Sequence, residues 1–268
     1  MLIVIRGAGD IASGIALRLW RAGIRLVMTE IPEPSSIRRT VSFSEAIRLG
    51  ETTVEDVQAC RAQDAKEALR LLEKGILPVL CDPEADCIRT LRPDAVVDAI
   101  LAKVNTGTTL SDAPVVIGVG PGFTAGADCH GVVETMRGHT LGRVIRQGGA
   151  IPNTGVPGNI GGYTSERVMH SGCVGVFRTL RDIGDTVAAG ETVATIGDET
   201  VKAAIPGILR GILPDGFFVP RAGFKCADVD PRCQLSHCFS ASDKALAVGG
   251  GVLEAVLSMT GALRSGKE

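Results

Sequence analysis

The chain has 268 residues, of which 45% are hydrophobic and 3% aromatic, with a formal net charge of -2. That length suits about two domains. The near-neutral balance excludes a global pull towards nucleic acid or an anionic membrane, and the scarcity of rings excludes the stacking platforms of single-strand binders.

No run of about 18 apolar residues is present to span a membrane. Met1 leads straight into an apolar strand with no basic segment before it, so the chain reads as cytoplasmic. Its 8 cysteines then read as reduced thiols, most of them small buried hydrophobes.

Leu2–Ile5 is expected as a strand and Gly7-Ala8-Gly9 as a turn. Ile11 to Ala22 is expected as a helix on the spacing of Ile11, Ile15 and Leu19, stopped at Gly23. Arg25–Glu30 is the next strand. Helices are expected over Ser44–Leu49, Ala62–Lys74 and Glu84–Leu91, and strands over Ile76–Cys81, Ala95–Ile100 and Pro114–Val119. Such alternation predicts an α/β fold with a mostly parallel, doubly wound sheet. We assign residues 1–113 to a Rossmann-like nucleotide-binding domain.

Past residue 120 glycine becomes dense and helical periodicity fades. Residues 114–268 are therefore expected as a β-rich domain with glycine-rich loops. Short strands run through Val174–Val219, and a final helix lies near Gly251–Leu263.

The motif Gly7-x-Gly9-x-x-Ala12 stands between the first strand and the first helix. Gly7 permits a tight turn, Gly9 lets backbone approach a phosphate, and Ala12 allows close packing of helix on strand. The helix N-terminus adds unpaired N–H groups and a positive dipole end. Glu30 ends the second strand, where a carboxylate accepts hydrogen bonds from ribose hydroxyls and favours an NAD-like dinucleotide. Asp10 brings a charge that opposes a pyrophosphate. Arg38 and Arg39 offer compensation, or are simply a solvated surface pair.

Ligands of doubly wound sheets bind outside the carboxyl ends of the strands. Lys103 and Asn105 follow the strand at Ala95, and Gly120 and Gly122 lie in the loop after the strand at Pro114, with backbone N–H groups suited to an anion. His130 and Glu134, if helical, share one face, and one or the other is the candidate acid–base group. Arg137 and Arg143 are candidate clamps for a phosphate such as that of a pterin cofactor. Lys103 also reads as a solvated side chain, and Asn105 as a turn former.

The phrases VDAILAKVNTGT, GVGPGFTAGADCHGVVETMRGHTLGRVI, IPNTGVPGNIGGY, KCADVDPR and SDKALAVGGGVLEAVL resemble the YqeB family over essentially the whole chain. The family comprises accessory proteins of selenium-dependent molybdenum hydroxylase systems. The resemblance implies a role in maturing such a hydroxylase, with selenium or the molybdenum cofactor handled on the way. The client hydroxylase or other maturation proteins would be the partners. A pathway that moves a chalcogen implies a reactive thiolate, and Cys238, near His237 and Lys244, is the candidate, although it also reads as a buried inert cysteine.

Residues 174–219 resemble a barrel-sandwich hybrid. Gly184-Asp185-x-Val187-x-x-Gly190 matches the turn of biotinyl and lipoyl carriers, and Ala204–Gly211 their following strand. The expected hairpin tip, Gly197–Thr200, carries no lysine, so no biotin or lipoate is expected. Cys226, Cys233, His237 and Cys238 have no standard zinc spacing, and no metal is expected there. Two rival readings remain at this level. One is an NAD-dependent oxidoreductase, and the other a non-catalytic chaperone that binds cofactor and docks on its client.

Overall fold

A computed structural model describes residues 1–262. The expected end of the last helix, Leu263, lies outside the described residues. The chain forms two compact units. The first is drawn from Met1–Pro34, Ser42–Asn153 and the stretch from Ala241, and the second from Ser35–Val41 and Thr154–Ser240.

The first unit is a mixed α/β body built on a 9-stranded sheet. Its strands are β1 (Leu2–Arg6), β2 (Arg25–Glu30), β3 (Glu51–Val54), β4 (Val57–Ala62), β5 (Leu77–Cys81), β6 (Ala95–Asp98), β7 (Val115–Val119), β8 (Gly131–Val133) and β9 (Val144–Ile145). Its helices are α1 (Asp10–Arg21), α2 (Glu45–Leu49), α3 (Ala65–Glu73), α4 (Cys87–Leu91) and α5 (Asp243–Thr260). The strand order is β3-β4-β5-β2-β1-β6-β7-β8-β9. Neighbours run parallel from β4 to β8, and antiparallel pairs close both edges. Central strands such as β1 and β7 are apolar along nearly their whole length because helices and loops cover both faces.

Three features differ from the sequence reading. The boundary expected at residue 113 falls inside the first unit, because β7, β8 and β9 extend the same sheet. The stretch before α3 is a hairpin, β3–β4, turned at Glu55 and Asp56. Asp64 caps α3, its carboxylate accepting the Glu67 N–H at 2.7 Å, so Ala62 belongs to the strand and not the helix.

The last helix is the third difference. It begins at Asp243, capped by Ser242, and runs through Gly249, Gly250 and Gly251. These glycines argue against a helix on propensity. Tertiary packing reverses the preference. A Cβ on Gly251 would lie 2.0 Å from Gly142 O, and one on Gly249 2.7 Å from Gly14 O. A Cβ on Gly14, in α1, would in turn meet the Ala245 Cβ at 2.5 Å. Small residues on both helices therefore set how closely α1 and α5 approach.

The second unit holds two 4-stranded sheets. Its strands are β10 (Val168–His170), β11 (Gly175–Thr179), β12 (Thr186–Val187), β13 (Thr192–Ile196), β14 (Glu199–Lys202), β15 (Gly207–Ile212), β16 (Phe218–Val219) and β17 (Lys225–Asp230). One sheet has the order β10-β17-β15-β12 and the other β14-β13-β11-β16. Both contribute to one core, with Leu209 and Val229 from the first sheet and Phe177 and Val193 from the second. Ile37, from the short 35–41 segment, joins that core.

Candidate functional site

The residues singled out in the glycine turn converge at the carboxyl ends of β1, β6 and β7. Gly7 has a φ of +92°, and a Cβ there would lie 3.0 Å from Ala99 O. Only glycine satisfies both conditions. Gly9 is the N-cap of α1 and offers no side chain to it. Ala12 is buried. Glu30 accepts the Ala8 N–H at 3.0 Å through Oε2 and the Ile31 N–H at 2.9 Å through Oε1. Burial pushes its carboxyl upward, and these two N–H groups oppose that shift.

The loop after β6 closes over this turn. Leu101 and Lys103 adopt positive φ, 61° and 68°, which is costly for residues with a side chain. Its conformation is fixed from several sides. Asp98 accepts the Ile100 N–H at 3.1 Å. A Cβ on Gly120 would meet Thr135 Oγ1 at 2.8 Å, and one on Gly122 would meet Val104 N at 2.8 Å. Gly120 and Gly122 thus let two loops lie against each other.

Arg6 and Asp98 are register partners on β1 and β6, and both are buried. Thr108 Oγ1 donates to Asp98 at 2.6 Å and accepts from Arg6 Nη1 at 2.5 Å. No motif in the sequence marks this triad. The available signal was a charge of opposite sign ending each of two apolar strands, legible only once their register is known.

Lys103 and Lys244 form the electrostatic centre of this end. Desolvation lowers the Lys103 ammonium below its usual range. Lys244, on the first turn of α5, is lowered first by burial and then by Lys103 and Arg137, while Asp10 and Glu134 pull the other way. Arg137 makes a bidentate pair with Asp243, at 2.5 and 2.7 Å. Arg143 is exposed just before β9, and its carbonyl accepts the Glu134 N–H. Lys103, Arg137, Asp10 and Glu134 therefore all act on Lys244, two cations against two carboxylates.

Several expected roles are corrected. The segment after His130 is a strand and not a helix, so His130 and Glu134 lie at its opposite ends, about 13 Å of extended chain apart. His130 faces the amino-terminal end, where its Nδ1 accepts the Val116 N–H at 2.9 Å. Glu134 is 2% exposed and accepts N–H groups from Thr135, Met136 and Ile151, which makes it a brace between loops. Asn105 is fully engaged within its own loop, accepting from Gly107 and Thr108 N–H and donating to Thr108 O.

In the second unit, Cys238 is fully buried, and burial raises its thiol despite Arg38 and Arg210 nearby. A reactive thiolate needs the reverse. Arg38 is buried too and donates to His237 O and Ser240 O, while Arg39 donates to Ile212 O. They are not a solvated pair. Among the described residues no helix is long and apolar enough to cross a membrane.

No family model matches the chain. It is 52% identical over 258 residues to the uncharacterized protein YqeB of Escherichia coli (strain K12), covering 96% of this chain and 48% of that protein. The chain spans about half the length of that relative. Among solved structures, an aspartoacylase family protein from Mesorhizobium loti is 13% identical with a TM-score of 0.27, over 85% of this chain and 84% of that one. The ectoine utilization protein EutE (DoeB) from Ruegeria pomeroyi is 13% identical with a TM-score of 0.22, over 55% of this chain and 50% of that one. Both scores are too low to mark a shared fold.

Proposed function

We propose that this chain is an accessory protein in the maturation of a selenium-dependent molybdenum hydroxylase, and that its first unit binds a nucleotide- or pterin-type ligand by its phosphate. The observation that carries the ligand reading is the Lys103–Lys244 pair. Both ammoniums are partly desolvated and Lys103 lowers Lys244 further, a cost that an anion at the carboxyl ends of the parallel strands relieves. Arg137 lowers Lys244 as well although Asp243 pairs with it, and the N-terminal turn of α1 adds a positive dipole end that Asp10 partly offsets. The pathway reading rests on the sequence phrases shared with YqeB.

On this reading the first unit is Rossmann-like, and the client hydroxylase or another maturation protein is the partner. The second unit is a barrel-sandwich-type module for docking. The β13–β14 hairpin turns at Gly197 and Asp198 without a lysine at its tip, which suits docking better than carrying a swinging cofactor.

The test is to denature the purified protein, identify released small molecules by mass spectrometry, and assay the client hydroxylase in cells carrying Lys103→Met with Lys244→Met. A released pterin or nucleotide that disappears in the double variant, together with loss of client activity, is the expected result. Full client activity in cells lacking this chain would overturn the pathway. A nicotinamide dinucleotide released from the wild type would favour an oxidoreductase instead.

A further inference from the structure

A cavity of about 870 Å³ opens on the first unit between the α4 segment and the loop that leads into β7, with Arg6 in its lining. Arg6 is 4% exposed. Its Nη1 serves Thr108 and Asp98, at 2.5 and 3.5 Å. Its Nε is buried and has no hydrogen-bond partner among the described residues. A guanidinium offers two edges to planar acceptors, and the edge containing Nε is the one those partners leave over. An orphaned buried donor on a charged group is costly, so it points to a partner outside the chain.

Exposed charges mark the mouth: Glu84, Asp86 and Asp94 line the cavity with Arg89 and Arg92, and Asp112 there is half-buried. Asp94 accepts the Leu2 N–H, Asp112 accepts from Thr109, and Asp86 pairs with Arg89. Glu84 is exposed at the rim. Acidic groups at the mouth repel a polyanion, while the cation inside favours a single carboxylate.

We propose that this cavity is a binding site for a small zwitterion of the amino-acid class, separate from the phosphate site. Its carboxylate takes the Nε edge of Arg6 in a forked pair, and its ammonium rests at the acidic mouth beside Glu84. The fork explains why arginine is required. Lysine could keep the charge opposite Asp98 but presents no such edge.

The experiment follows the Arg6 Nε–H resonance in the 15N-labelled full chain, assigned by its loss in Arg6→Lys. The probes are the proteinogenic amino acids, first pooled and then singly, with acetate and inorganic phosphate at matched concentration. A saturable shift with one or more amino acids, absent with acetate and phosphate, is expected. Glu84→Gln, a surface change that spares the fold, should weaken that binding about three- to tenfold. The proposal is overturned if no amino acid moves the resonance, if acetate or phosphate moves it as far, or if Glu84→Gln binds like the wild type.

Discussion

Glu30 Oε2 accepts the Ala8 N–H at 3.0 Å, so the carboxylate ending β2 is clamped onto the turn that ends β1. Burial raises the Glu30 carboxyl. The folded state therefore holds this proton more tightly than the unfolded chain. Stability from this group is fully present below the unfolded value and is lost as pH rises through the folded one. Glu30→Gln removes the titration but keeps one accepting oxygen. Thermal unfolding from pH 4 to 7 should show the wild type losing stability relative to Glu30→Gln as pH rises. A constant difference would mean that Glu30 does not titrate in this range.

Lys244 should respond to loss of Lys103. Lys103 helps lower the Lys244 ammonium, so Lys103→Met should move it upward. Acylation of Lys244, followed by peptide mass spectrometry across pH, would then reach half its maximum at a higher pH than in the wild type. An unchanged midpoint would mean the two ammoniums do not interact.

Gly251→Ala should destabilise the protein by about 1–3 kcal/mol, the usual cost of overpacking, although alanine is the better helix former. The added Cβ would meet Gly142 O at 2.0 Å, and that atom is backbone and cannot rotate away. Gly250 has open space around its Cβ position. Gly250→Ala should therefore be neutral or stabilising, and urea unfolding of the two variants would separate packing from propensity.

Alkylation should separate the cysteines by burial. Cys233 is exposed and should react with iodoacetamide first. Cys226 is buried, with its thiol pushed up to about 11 by burial, and should stay unmodified in the native state along with Cys238. Equal labelling of Cys238 and Cys233 would contradict the buried placement of Cys238.

Elements whose signals are local were legible in the order of residues alone. Apolar runs bounded by glycine placed β1, β2 and β7 to within a residue or so, and Gly7-x-Gly9 marked a strand–turn–helix unit, because strand burial and turn chemistry are written in adjacent residues. The rest depends on contacts between residues far apart in the chain. The α5 helix forms through three glycines because Gly142 and α1 lie against it, and no neighbouring residue announces that. His130 and Glu134 separate because the segment pairs with β7, and the partner strand decides between a 3.6-residue and a two-residue period. The Arg6–Asp98 pair needs the β1–β6 register, and the influence of Lys103 on Lys244 joins positions 141 residues apart. Charge and burial at such sites are sums over groups that chain order keeps apart.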